Sequence, residues 1–348
     1  MATSTTGARA LRGGVIGCGF FAANHLNAWR EIDGVEIVAV CDRDPTRAEQ
    51  ARARFSVPRA YSDAADMITA EPLDFVDVVT TVETHRALVE LCAKHRVPVI
   101  CQKPFALDLA DARAMVERCR EADVPLMVHE NFRWQVPMLA VRKALDEGTV
   151  GRPSFARISF RHRFDIYANQ PYLATEKRLA LVDVGVHVLD LARFFLGEVT
   201  RLYCRNRRLN PRVAGEDSAT LLLDHADDAV SIVDIGFYSR LDPDPFPQTL
   251  VHIEGDRGTL SLDAGYRLTV IGPRGRELRD VEPPVPNWGE KPWHAVQDSV
   301  RNTQAHWIDC LRSGAEPRPS GADNLRTLDL VFKAYDSAAS GQAIAIPT

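Results

Sequence analysis

At 348 residues, 45% hydrophobic and 26% charged, the chain exceeds one ordinary hydrophobic core and predicts two domains of average globular composition. Its net charge of −5 supplies no global positive field for a phosphate backbone, so nucleic acid is not an expected partner. No apolar run reaches the roughly eighteen residues of a membrane span. The opening MATSTTGARALRGG also lacks the apolar run of a secretory signal, and together these predict a cytoplasmic protein with no membrane partner. The seven cysteines are scattered without a C-x-x-C pair; they read as reduced thiols acting as small buried hydrophobes, and no metal is expected.

From Gly13 to His129, short apolar runs alternate with amphipathic stretches. In order they are GGVIG, a helix over FAANHLNAWREI, VEIVAVCD, a helix from Pro45 to Phe55, FVDVVT, a helix from Glu83 to His95, VPVIC, a helix from Leu109 to Ala122, and PLMVHE. This is the pattern of βαβ units around a parallel sheet buried on both faces, so residues 1–131 are expected to form a doubly wound Rossmann domain.

Beyond it a helical stretch ends near Gly148 and longer alternating segments follow: FARISFRHRF, ATLLLDH, AVSIVDIGFY and TLVHIEG. Period-two alternation over such lengths predicts a large, open, mostly antiparallel sheet with one face covered. VDVGVHVLDLARFFLG reads as a helix closing at Gly197, and GPRGRELRDVEPPVPNWGEKPW as a long connection or surface flap. Two helices, Val296 to Arg312 and Asp323 to Ser340, are expected to close the chain. The whole is α/β: a Rossmann domain, then an α+β domain over residues 132–348 for substrate binding and oligomerisation, making a homodimer or homotetramer.

Gly17-Cys18-Gly19-Phe20-Phe21-Ala22 matches the G-x-G-x-x-G/A fingerprint between a predicted strand and a predicted helix. Gly17 permits the tight turn, Gly19 lets the backbone approach a pyrophosphate, and Ala22 allows close helix-to-strand packing. The helix start offers N–H groups and partial positive charge to the phosphates. Asp42, at the end of the second strand, suits the adenosine ribose hydroxyls and favours NAD, whereas Arg43 leaves NADP open. Ligands of open α/β sheets bind at the carboxyl ends of strands, which presents Gln102 and Lys103 after VPVIC, and Thr80, Thr81 and then His85 after FVDVVT. Asp183, His187 and Asp190 stand at i, i+4 and i+7, along one helix face. No third ligand at metal spacing accompanies the Asp-x-x-x-His pair.

Taken together, VIGCGFFAANH, CQKPFA and DVGVHVLD resemble three signatures of the Gfo/Idh/MocA oxidoreductases, and the resemblance extends to TTVETH and ENFRW. It implies an NAD(P)-dependent dehydrogenase moving a hydride from a secondary alcohol of a sugar, polyol or sugar acid, with Lys103, Asp183 and His187 beside the nicotinamide. One departure is Gln102, where the family usually has Glu; losing that charge makes protonated Lys103 less favoured. On this reading His187 is the general base, Asp183 orients it or binds a substrate hydroxyl, and Lys103 donates to the developing alkoxide. Arg133, Arg161 and Arg163 are expected on the substrate side, where their forks would suit an acidic sugar. CQKPFA and HENFRW are also similar to members that oxidise and rearrange the branched sugar acid apionate. Two further alternatives are glycoside cleavage through NAD-assisted oxidation and elimination, and a non-catalytic dinucleotide-sensing regulator.

Overall fold

A computed structural model describes residues 9–168, 170–241 and 246–347, and the chain divides into two compact units. The first runs to Glu130 and takes in residues 286–289 and 297–325; the second holds the remaining described residues.

In the first unit β1 (Leu11–Ile16), α1 (Ala22–Trp29), β2 (Val35–Cys41), α2 (Pro45–Phe55), β3 (Arg59–Tyr61), α3 (Ala64–Ala70), β4 (Phe75–Val78), α4 (His85–Lys94), β5 (Val99–Gln102), α5 (Leu109–Ala122) and β6 (Leu126–His129) alternate, the short β3 and α3 being additions to the alternation expected from the sequence. The strand order is β3-β2-β1-β4-β5-β6 and every pair is parallel. This is the doubly wound order, with its switch point between β1 and β4. Strands β4, β5 and β6 are buried at every position, as strands covered on both faces must be. Asp44, Asp63 and Asp108 cap α2, α3 and α5 by accepting from main-chain N–H groups of the first turn.

The second unit contains α6 (Val136–Asp146), β7 (Pro153–Arg161), α7 (Val186–Leu196), β8 (Val199–Arg207), β9 (Ser218–His225), β10 (Val230–Gly236), β11 (Leu250–Gly255), β12 (Gly258–Asp263), β13 (Arg267–Gly272) and β14 (Gly275–Asp280). After them come α8 (His294–Ser313), α9 (Gly321–Ser340) and β15 (Ile344–Ala345). The sheet order is β14-β13-β12-β11-β7-β10-β9-β8-β15, antiparallel at each pairing except β7 with β10. In β7, Ala156, Ile158 and Phe160 are buried in the helix-covered core while Arg157 on the opposite face is exposed. Part of the expected flap is strand: Gly275 (φ 110°) turns the chain so that β14 pairs with β13. Its residues are charged and mostly exposed, the composition of a protected sheet edge, so no alternation marks it.

The chain then returns. Trp307 and Ile308 of α8, at 0% and 1% exposure, pack with Leu26, Trp29 and Met127 of the first unit, and Pro319 O accepts from Val128 N. A buried side chain of that size contributes about 1.5–3 kcal/mol.

Three features fix α7. Its entry is a wide π-type turn over Leu181–Gly185, whose leading N–H groups are met by the buried Glu216 carboxylate: Leu179 N and Leu181 N donate to it at 3.2 and 3.1 Å, and Tyr335 Oη at 2.6 Å. A carboxylate there also complements the helix dipole. At its middle the fully buried Asp190 accepts both arms of Arg133, at 2.8 and 2.5 Å. Gly197 (φ 83°) ends it. Removing one partner of a buried pair strands the other's charge. Arg133→Ala should therefore lower the unfolding free energy by about 3–5 kcal/mol in urea titrations. A loss below about 1 kcal/mol, the level of an exposed pair, would show that the pair does not anchor the helix.

Candidate active site

The turn after β1 fits a dinucleotide in two different ways. Gly17 lies at φ 100°, and a Cβ there would come within 2.4 Å of Val79 O on the neighbouring strand connection, so no larger residue closes this turn. At Gly19 an added Cβ would meet nothing within 4 Å, which leaves the main chain open to an approaching pyrophosphate. Ala22 begins α1 with no side-chain cap, and the preceding Phe20 is 61% exposed. Phe21 turns its ring edge toward His25.

Asp42 follows β2 and is held from both sides: Cys18 N donates to Oδ2 at 2.8 Å and Asp44 N to Oδ1 at 2.9 Å. The carboxylate is thus aimed across the glycine turn, where ribose hydroxyls would meet it. Arg43 is exposed beside it. Burial, then the nearby Asp42 and Cys41, push the Cys18 thiol up to about 12, so this fingerprint cysteine stays protonated and unreactive.

After β4, Thr84 Oγ1 donates to Thr80 Oγ1 at 2.7 Å, while Thr81 is exposed. His85 turns inward. It is 1% exposed, with its ring nitrogens each 3.2 Å from Phe105 O and Thr80 O, so it ties the loop after β4 to the loop after β5. Its ring nitrogens thus face the protein's own carbonyls. After β5, Gln102 is buried: its amide meets His25 at 3.0 Å, and its Oε1 accepts from Lys103 N at 2.7 Å. Lys103 is half-buried. His25 and Asp77, linked at 2.8 Å, carry no mark in the sequence; one turn into α1 on its buried side, His25 reads as any core residue there.

In the second unit Asp183 sits half-buried in the π-type turn and His187 lies one helical turn further on. His187 is 3% exposed and stacks on Phe132 with ring centroids 3.8 Å apart and planes 2° from parallel, which fixes the imidazole plane. The space that a Gly185 side chain would fill is bounded by Leu181 and Ile235, 3.3 and 3.4 Å from where a Cβ would stand, so this glycine lets the helix pack close to the sheet. Tyr167 shares this unit; burial, with Asp217, Asp165 and Asp183 nearby, pushes its phenol up to about 12.

The arginines are placed differently from expectation. Arg133 is spent on Asp190. Arg161 lies on the outer sheet face, 3.5 Å from Asp234 and 3.3 Å from Ile235 O, because the pleat turns it away from the face that carries α7. Arg163, past the strand end, lies over the Tyr238 ring at 5.2 Å. Among the described residues, no three His, Cys, Asp or Glu side chains are grouped to hold a metal ion, and no helix is long and apolar enough to cross a membrane.

A six-stranded parallel sheet, a glycine turn at its switch point and a carboxylate held across that turn define a nicotinamide dinucleotide-binding oxidoreductase. Residues 11–130 match the model of the oxidoreductase family with an NAD-binding Rossmann fold, and residues 138–261 match the GFO/IDH/MocA C-terminal domain. The chain belongs to the Gfo/Idh/MocA oxidoreductase family, and its cofactor is NAD. It is 51% identical to a D-apiose dehydrogenase of Rhizobium rhizogenes over 336 residues, 97% of each chain. A D-apiose dehydrogenase of Paraburkholderia graminis is 52% identical over 344 residues, 99% of this chain and 92% of that one. Among solved structures, an oxidoreductase from Agrobacterium radiobacter in complex with NAD+, L-tartaric acid and magnesium superposes with a TM-score of 0.95 at 51% identity, covering 97% of this chain and 98% of that one.

The two glycines separate folding from binding. Gly19→Val should leave the melting temperature within a few degrees and weaken NAD binding at least about tenfold in titration calorimetry, about 1.4 kcal/mol. Gly17→Val should lower both, and equal effects of the two substitutions on stability would contradict the assignment. His85 provides a pH test. Burial holds its pKa below the ordinary 6.5, so as pH falls below that value the unfolded chain takes up a proton before the folded one. Its contribution is full above pH 6.5 and is lost as pH falls toward the folded value. The loss of stability between about pH 7 and pH 5 should be smaller in His85→Gln than in the wild type; an identical slope would show that His85 is not buried neutral.

Proposed function

We propose that this NAD-dependent oxidoreductase is a dehydrogenase of a neutral branched aldose of the D-apiose type. The observation that carries the reading is the identity of 51% and 52%, over almost the whole chain, with two D-apiose dehydrogenases. One arginine agrees with it: Nε and Nη2 of Arg133 both donate to the buried Asp190, which leaves that fork no place for a sugar carboxylate. A sugar acid such as apionate is the second reading, favoured by the hydroxy acid tartrate in the Agrobacterium radiobacter structure.

NAD supplies the hydride acceptor, and the protein supplies proton transfer and charge stabilisation. Gly17, Gly19 and the start of α1 hold the pyrophosphate, and Asp42 the adenosine ribose; a carboxylate there disfavours the extra phosphate of NADP. His187, its ring plane fixed on Phe132, takes the hydroxyl proton, and Asp183 orients it or binds a neighbouring hydroxyl. Lys103 donates to the oxygen as negative charge develops on it. The outer sheet face serves self-association into a homodimer or homotetramer: Leu222, opposite Ile232 of β10, is 46% exposed on it. Seven cysteines without disulfides suit a reducing, cytoplasmic compartment.

Initial rates of NADH formation with D-apiose, D-apionate, myo-inositol and simple aldoses should be highest with D-apiose, and light scattering should give a multiple of the 38.6 kDa chain mass. Lys103→Ala and His187→Ala should each reduce kcat at least about a hundredfold, some 2.7 kcal/mol of barrier. A preference for apionate with an isomerised product would overturn the aldose reading, and near-normal turnover in both variants would overturn the roles of the two residues.

A further inference from the structure

The hydrogen bonds around Gln102 all run one way. Lys103 N–H donates to Gln102 Oε1 at 2.7 Å, and this places the amide nitrogen toward His25, 3.0 Å from its Nε2. An amide nitrogen only donates, so His25 Nε2 accepts and the single ring proton lies on Nδ1, 2.8 Å from Asp77 Oδ2. Trp29 Nε1 donates to the same carboxylate oxygen at 2.8 Å. Asp77 and His25 are 0% exposed and Gln102 is 7%, so none of these polar groups can turn to water instead. Position 102 therefore needs an acceptor at one end and a donor at the other. Glutamine has both. A glutamate has only acceptors and completes the same path only if the chain takes up one more proton.

We propose that Asp77, His25 and Gln102 are positioning residues, a one-directional hydrogen-bond chain ending on a buried carboxylate that fixes the main chain of Lys103 and so the root of its side chain. The proposal rests on the role of Lys103 in hydride transfer given above. In a low-dielectric interior, hydrogen bonds in series polarise one another in the same sense, so the links reinforce each other. The chain also explains the amide at 102: it holds its geometry with no titrating proton. The titratable groups facing the His25 ring are Asp77 from β4 and His129 from β6, whose ring centroid is 4.2 Å away. Phe21 ahead of α1 meets the ring at 5.5 Å, and Gln304 of α8 donates to the His25 carbonyl at 3.4 Å.

The test is Gln102→Glu in the full chain, read by kinetics and by nitrogen NMR of labelled histidines. In the wild-type holoenzyme, His25, identified as the signal missing from His25→Phe, should show its single ring proton on Nδ1. In Gln102→Glu the extra proton completes the chain at low pH and its loss breaks a link. The ratio of variant to wild-type kcat should then fall at least about tenfold as pH rises from about 6 to 9, with KM for NAD changed less than about threefold. A ratio that stays flat with pH, or a wild-type His25 protonated at Nε2 or on both nitrogens, overturns the proposal. Lys103→Ala separates the two levels. If it retains turnover, the role of Lys103 falls while the histidine spectra still decide the chain. If it is inactive and Gln102→Glu follows the wild type at every pH, the positioning role alone falls.

Discussion

The contact between Gly17 and the carbonyl of Val79 is the constraint from which the first unit's binding face follows. A Cβ at Gly17 would sit 2.4 Å from that oxygen, so the connections leaving β1 and β4 can come this close only at glycine. The closeness lets Gly17 N bond Cys41 O and Cys18 N bond Asp42, which ties the phosphate turn to the carboxylate beyond β2. A residue that reads as a simple fingerprint glycine therefore sets the distance between two recognition elements that are separate in sequence. Topology provides the crevice, and the missing side chain provides its dimensions.

The second unit reaches the same end by electrostatics. Its helix α7 carries Asp183 and His187 at its entry and first turn, where a π-type turn spaces main-chain groups irregularly. Glu216 meets the N–H groups at that entry, and Arg133 with Asp190 clamps the helix from its side. Both devices bury charge, and buried charge tolerates little displacement because its partners must stay in register. The stack of His187 on Phe132 then sets one ring plane. If His187 is the base, as proposed, it is oriented before substrate arrives, which is the condition under which proton transfer is efficient.

Features governed by local rules were legible in the sequence. Period, apolar runs and strand-helix alternation located β1, β2, β4, β5 and β6, and the glycine spacing located the tight turn after β1. Features governed by pairing across the fold were not. Arg133 carries no mark of its partner Asp190, and the outward turn of Arg161 depends on which face of β7 is covered. His85 lies at a strand's carboxyl end, as the binding rule asks, yet its side chain turns inward to two carbonyls. The edge strand β14 escaped because a charged, exposed edge has neither alternation nor apolar content. The return of residues 297–325 to the first unit is likewise invisible to any window shorter than the chain.

The arginines and Gln102 bear on the substrate in the same sense. Arginine near a predicted crevice suggests a carboxylate ligand, but the Arg133 guanidinium, whose Nε and Nη2 both meet Asp190, must break that pairing to offer the same edge to another acid. A buried pair resists such exchange far more than an exposed one, and the Arg133 and Asp190 side chains are 8% and 0% exposed. Gln102, beside Lys103, is likewise an uncharged amide. On the proposed reading of an uncharged sugar as substrate, selectivity rests on hydroxyl geometry, because misplaced hydroxyls leave buried polar groups unpaired.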